Sequence, residues 1–232
     1  MTRSESSGFR HELKYEIDQG TYLALRQRLR SVMKSDFHTG PDGRYTIRSI
    51  YFDNVNDKAL REKIDGEQKR EKFRIRYYND DFSFFTLEKK QKIGSLCLKC
   101  DATITEAECQ RILSGNLDWM VEHPTGLVRE LYCKMKYQCI RPRILVSYTR
   151  EPYIYEAGNV RITFDSQIRS TLWHRKFLEP DIRDISILDE PSKIIMEVKF
   201  DAFLPEVIQM LIQSEGIRQG AFSKYGACRR FG

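Results

Sequence analysis

Polar and apolar residues alternate along most of this chain, and the alternation breaks only where helical spacing takes over. In F-R-H-E-L-K-Y-E-I, residues 9–17, Phe9, His11, Leu13, Tyr15 and Ile17 share one side and Arg10, Glu12, Lys14 and Glu16 the other. Period two predicts a strand with one charged face. Asp18 then stands as N-cap for a helix through about Met33, with Tyr22, Leu25, Leu29 and Val32 at helical spacing. His38–Arg44 reads as a loop, Tyr45–Asp53 as a strand, and residues 56–63 as a short helix.

The clearest pattern runs from Lys69 to Lys92. Phe73, Ile75 and Tyr77 alternate with Lys72, Arg74, Arg76 and Tyr78; after a turn at Asn79-Asp80-Asp81, Phe85 and Leu87 alternate with Thr86, Glu88 and Lys90. This predicts a hairpin whose polar face is almost wholly cationic. Such a face repels itself unless it meets water, carboxylates or a polyanion.

A further strand follows at Leu96–Thr103. Thr105 with Glu108 three residues on marks a capping box, and residues 117–137 read as mainly helical with a break near Pro124-Thr125-Gly126. Strands return in R-P-R-I-L-V-S-Y-T-R-E-P-Y-I, N-V-R-I-T-F-D and S-K-I-I-M-E-V-K-F. Leu204–Glu215 is a last helix with Pro205 near its start, and A-F-S-K-Y-G reads as extended. About eight strands with inserted helices fit an α+β fold, either a closed antiparallel barrel or a curved sheet backed by helices.

Composition narrows the setting more than the chemistry. The 232 residues hold 41% hydrophobic and 31% charged side chains with a formal net charge of +6, which suits one domain over residues 1–232. The apolar runs, such as Ile144-Leu145-Val146, are too short for a membrane span, and M-T-R-S-E-S-S-G lacks a signal-peptide core. The expected location is the cytoplasm, with a membrane partner left open. Cys97 and Cys100 have C-x-x-C spacing, but positions three apart on a strand face opposite ways, which argues against zinc and for reduced thiols. Asp53-Asn54-Val55-Asn56-Asp57 lacks the glycine and distal glutamate of a calcium loop. His11, His38, His123 and His174 show no ligand spacing, and no phosphate-binding glycine loop, kinase signature, serine elbow or nucleic-acid recognition motif is present.

Charged and apolar faces recur in several strands: Glu12/Lys14/Glu16, Arg74/Arg76, Glu88/Lys90, Arg161/Thr163/Asp165 and Glu197/Lys199. Amphipathic helices need an apolar surface to cover, so the apolar faces are expected outside and the charged faces inside. That arrangement makes a hydrated cationic tunnel suited to an extended polyanion. Glu197, Glu12 and Glu88 are the expected set for a divalent metal bridging to phosphate. Solvent-facing strands with cross-strand ion pairs are the competing explanation of the same pattern.

Taken in order, R-H-E-L-K-Y, S-I-Y-F-D-N, K-F-R-I-R-Y-Y, L-E-K-K, R-P-R-I-L-V-S-Y-T-R, R-I-T-F-D, M-E-V-K-F and S-K-Y resemble the polyphosphate polymerase domain of the vacuolar transporter chaperone (VTC) family, within the triphosphate tunnel metalloenzymes. The resemblance spans Arg10 to Tyr225 and implies a closed tunnel of about eight antiparallel strands with helices outside. It implies an ATP-dependent polyphosphate polymerase, with ATP and polyphosphate as partners and Mn2+ or Mg2+ as cofactor. Carried over by motif, Lys14 is the lysine of the first strand, Arg74 and Arg76 clamp phosphate, and Lys90 and Lys99 continue the lining. Tyr148, Arg150, Arg161 and Lys199 join them, Ser223 and Lys224 close the tunnel end, and Glu197 is the metal ligand. Arg74, Arg76, Lys90, Arg161 and Glu197 form the implied catalytic set. Arg10 stands where the triphosphatase branch has the first glutamate of E-x-E-x-K, which favours the polymerase branch. A triphosphatase and a non-catalytic polyphosphate-binding module remain the alternatives.

Overall fold

The computed structural model describes residues 9–36, 39–171, 176–179, 184–187 and 193–229. His38, His174 and the N-terminal octet, all read above, lie outside the described residues. The elements in order are β1 (His11–Ile17), α1 (Gln19–Arg30), β2 (Lys34–Ser35), β3 (Tyr45–Asp53), α2 (Lys58–Ile64), β4 (Lys69–Tyr78), β5 (Asp81–Ile93), β6 (Leu96–Ile104), α3 (Glu106–Ser114), α4 (Gly126–Tyr137), β7 (Arg141–Tyr155), β8 (Val160–Thr171), β9 (Ile185–Ser186), β10 (Ile194–Phe200), α5 (Glu206–Ile212) and α6 (Lys224–Cys228).

One large antiparallel sheet carries the path β1-β10-β8-β7-β3-β4-β5-β6, with β2 on β7 and β9 on β8. The expected closed barrel does not appear as a continuous ladder. The two edges, β1 and β6, meet at a single bridge, where Arg10 and Cys97 exchange N–H···O bonds of 3.0 and 3.1 Å. Beyond that bridge the edge of β1 pairs instead with the segment before α6: Gly220 N–H donates to Lys14 O at 2.8 Å.

Local chemistry explains most elements. Asp18 accepts from Thr21 N at the start of α1, and Thr105 with Glu108 forms the full capping box of α3. The β4–β5 turn is tighter than read. Only Asn79 and Asp80 lie between the strands, both at positive φ, the backbone of a type I′ hairpin turn.

The apolar faces do point outward under helices. Ile50, Phe73, Ile75, Phe85 and Leu87 pack with Ile112 of α3 and Val128, Leu131 and Met135 of α4. Ile162, Phe164, Met196 and Val198 pack with Leu25 and Leu29 of α1 and Ile208 of α5. Each large aliphatic or aromatic side chain buried this way stabilises the fold by about 1.5–3 kcal/mol relative to exposure. Helices on the outer face leave the charged inner face free for other work.

Two further readings need correction. Residues 221–226 are not extended throughout, because Lys224–Cys228 is helical and Ser223 caps it, accepting from Gly226 N. Strand β8 runs past Asp165 to Thr171, through an irregularity in its pairing with β7 and a left-handed Gln167 (φ 50°). Among the described residues, no helix is long and apolar enough to cross a membrane.

Candidate active site

The inner face of the sheet carries two charge centres. The first belongs to the β4–β5 hairpin, whose register places Arg74 opposite Glu88. Arg74 Nε donates to Glu88 Oε2 at 2.6 Å and its Nη1 to Tyr51 OH at 2.8 Å. Arg76 Nη1 lies 3.4 Å and Lys99 Nζ 3.0 Å from Glu88 Oε1. The Glu88 side chain is only 2% exposed. Burial disfavours its charge, yet Arg74, Arg76 and Lys99 hold its carboxyl far below the usual carboxylate range. The hairpin's cationic face is thus answered in part by one buried carboxylate.

The second centre joins β1, β5, β7, β8, β10 and α6. Lys224 Nζ sits 2.5 Å from Asp165 Oδ2 and 2.9 Å from Glu197 Oε1. Arg150 grips Asp165 with two parallel bonds of 2.6 and 2.7 Å and lies 3.6 Å from Glu197. Lys14 bridges Glu197 (3.4 Å) and Glu12 (3.2 Å), and Lys90 pairs with Glu12 at 2.5 Å. Lys199 lies 3.4 Å from Glu197 and 3.9 Å from Glu12. Against the opposing effect of burial, Lys224, Lys14, Lys199 and Arg150 hold the Glu197 carboxyl well below its ordinary value.

Tyr148 links the two centres. Its hydroxyl accepts from Arg76 at 3.3 Å, and its ring lies 4.8 Å from Lys224 Nζ and 5.3 Å from the Arg150 guanidinium.

Positive charge is in excess. Burial, then Lys90, Lys14 and Arg74, push Lys72 well below the normal lysine value, with Glu12 resisting. Burial is also the main reason Lys199 is pushed down to about 8; Glu197 and Glu12 oppose it, while Lys90 and Arg150 add to it. Arg76 Nε and the Thr163 and Ser49 hydroxyl oxygens are buried without a hydrogen-bond partner among the described residues. Such orphaned groups are costly unless a ligand or water meets them.

The structure gathers most of the residues named from the sequence, but not all. Arg161 stands apart, donating to Asp36 and Tyr45 OH at 2.8 and 2.9 Å. Glu16 turns to the rim and pairs with Lys193. Ser223 acts on α6 as its cap and so places Lys224. Glu88 is separate from Glu12 and Glu197, and among the described residues no three acidic, histidine or cysteine side chains converge as a metal cage. Glu12 and Glu197 share Lys14 and Lys199, and the unpartnered Thr163 hydroxyl lies on the strand position opposite Glu197. Sequence reasoning missed three participants: Asp165, Tyr51 and Lys72. Asp165 and Lys72 sit on alternations already read as charged faces, whereas Tyr51 lies on β3, for which no charged face was read.

The VTC domain model matches residues 9–231. Among solved structures, the PH1819 protein of Pyrococcus horikoshii is 14% identical, with 96% of this chain and 99% of that chain covered at a TM-score of 0.50. A candidate adenylate cyclase from Bacillus halodurans is 18% identical over 88% and 87% of the two chains, at a TM-score of 0.49. A conserved hypothetical protein of Pyrococcus furiosus is 11% identical over 90% and 94%, at 0.45. At these identities the PH1819 likeness speaks to the fold alone. No curated protein matches the sequence. The family match runs through every strand that builds the two charge centres, and this chain belongs to the VTC domain family.

Proposed function

We propose that the chain is a metal-dependent phosphotransferase that builds inorganic polyphosphate from the terminal phosphate of ATP, with the sheet wrapped as a tunnel around the growing chain. The observation that carries this reading is the buried inner face, where cations exceed the carboxylates Glu12, Glu88, Asp165 and Glu197 and where burial and the cationic neighbours disfavour the charge on Lys72. A polyanion relieves that excess.

Arg74 and Arg76 present guanidinium forks suited to phosphate oxygens, with Tyr51 and Tyr148 fixing their orientation. Phosphoryl transfer asks mainly for charge neutralisation and in-line placement, and these side chains supply both without a protein nucleophile. The donors fit a hard divalent ion such as Mn2+ or Mg2+. Glu197 and Glu12 would hold it, since such ions take one or two carboxylates plus substrate phosphate oxygens, whereas Glu88 serves the arginines. When bound, the ion neutralises charge on the transferring phosphoryl group.

Incubation with terminally labelled ATP and manganese tests the reading. Label is expected in long chains. Label only in free phosphate makes the protein a triphosphatase, and no metal-dependent product makes it a polyphosphate-binding module.

A pH dependence accompanies this site. With Lys199 pushed down to about 8, the free protein is expected to lose a proton there as pH rises, and a bound polyanion to restore it. Tripolyphosphate binding is therefore expected to take up protons at about pH 8, and to weaken as pH rises through that value. Calorimetry in buffers of different ionisation enthalpy measures the uptake. Lys199→Arg, charged throughout, is expected to lose the part of it that belongs to Lys199. Equal uptake by the two proteins would assign the titration elsewhere.

A further inference from the structure

The β4–β5 hairpin continues its cationic face beyond the arginine clamp. On that face the cross-strand pairs, two residues apart along each strand, are Arg74/Glu88, then Lys72/Lys90, then Arg70/Lys92. The step between pairs is about 7 Å at the usual rise per residue. Only the first pair is of opposite charge. Like charges directly opposite each other destabilise a sheet. Lys90 finds Glu12. Among the described residues, Lys72 and Lys92 have no carboxylate at salt-bridge distance, and Arg70 spends one N–H on the carbonyl of Glu67.

These outer pairs line a cavity of about 400 Å3, with Lys63 of α2 on its wall. The segment leading to α6 bounds it, held by Gly220 N to Lys14 O and by Lys14 Nζ to Phe222 O at 3.0 Å. Glu12, Lys14 and Lys90 line this chamber and also belong to the second charge centre, so the two adjoin. Its two acidic residues are already engaged, Glu71 by Lys134 and Lys89 and Glu12 by Lys90 and Lys14.

We infer that Arg70 and Lys92, in this chamber, form a chain-extension subsite that makes the protein select long linear polyphosphates over a triphosphate. The inference rests on the reading of the lumen as a polyphosphate site. A ladder of like charges at regular steps matches a polyanion that repeats along a line. A triphosphate gripped at Arg74 and Arg76 ends short of the outer rung, whereas a longer chain reaches it.

The test is calorimetric titration of tripolyphosphate and of long-chain polyphosphate into the wild type, the Arg70→Ala/Lys92→Ala variant and a charge-matched Lys34→Ala/Lys136→Ala control at two exposed positions. Wild type is expected to bind the long chain more tightly per molecule. The Arg70→Ala/Lys92→Ala variant is expected to lose about five-fold or more in long-chain affinity while holding tripolyphosphate within about two-fold. Because the substitution removes a like-charge pair, its melting temperature is expected to stay level or rise. Equal losses for both ligands, no loss for either, or an equal loss in the control would overturn the subsite. A wild type that binds tripolyphosphate but shows none of this length effect refutes the subsite alone. A wild type that binds neither ligand refutes the lumen reading and the subsite together.

Discussion

Arg74→Ala is expected to lower metal-dependent phosphoryl transfer by roughly 100- to 1,000-fold, the scale of removing one preorganised donor from a charge-developing site. Arg74 is held from both sides, by Glu88 at 2.6 Å and Tyr51 at 2.8 Å, so its fork is set before substrate arrives. Alanine removes the fork and the charge together. Lys99 and Arg76 stay near Glu88, so the carboxylate is not left bare and the fold is expected to survive. Arg74→Lys separates the two contributions. It keeps the charge but not the two-pronged geometry, and an activity between wild type and alanine is expected. The readout is turnover of ATP with manganese beside a thermal melt. A folded Arg74→Ala protein with normal turnover would remove Arg74 from the mechanism.

The hairpin that carries Arg74 was the most legible part of the sequence, for a physical reason. Period-two alternation is a local property, and Phe73, Ile75 and Leu87 needed only an apolar layer above them to fix which face turned inward. The caps at Asp18 and Thr105 were legible on the same grounds, since each bonds within three residues. Legibility failed where the decisive contact was distant. Helix α6 is short and contains Gly226, and its own sequence does not favour a helix. It is held by Tyr225 on Asp53 and by Lys224 on Asp165 and Glu197, contacts spanning 27 to 172 residues. The two-edge meeting at Arg10 and Cys97 is equally non-local. Strand β8 was cut short in the reading because Gln167 takes a left-handed backbone and ends the alternation that R-I-T-F-D begins.

The same distant contacts distinguish the three carboxylates that the sequence offered for a metal. Read as a pattern, Glu12, Glu88 and Glu197 were equivalent carboxylates on charged faces. Folded, Glu88 is committed to arginines, while Glu12 and Glu197 stand beside a common pair of lysines. Which carboxylate serves which cation depends on strand order around the sheet, and no spacing in the sequence contains that order.

Glu197→Gln separates charge balance from metal handling most sharply. The substitution keeps the shape of a side chain that is 7% exposed but removes the one negative charge shared by Lys14, Lys199, Lys224 and Arg150. Breaking a buried ion pair by neutralising one partner commonly costs about 3–5 kcal/mol, and Asp165 absorbs part of that here by keeping Lys224 and Arg150 paired. The variant is therefore expected to melt lower than wild type and still fold. Metal-free tripolyphosphate is expected to bind at least as tightly as before, because the lumen has gained net positive charge. It should also raise the melting temperature of Glu197→Gln more than that of wild type, since the anion now supplies the missing counter-charge. Metal-dependent turnover is expected to fall by about 100-fold or more. Calorimetry, thermal shift and the manganese assay read the three effects separately. Retained turnover would take the metal away from Glu197, and weaker tripolyphosphate binding would make this carboxylate an organiser of the lysines rather than their counterweight.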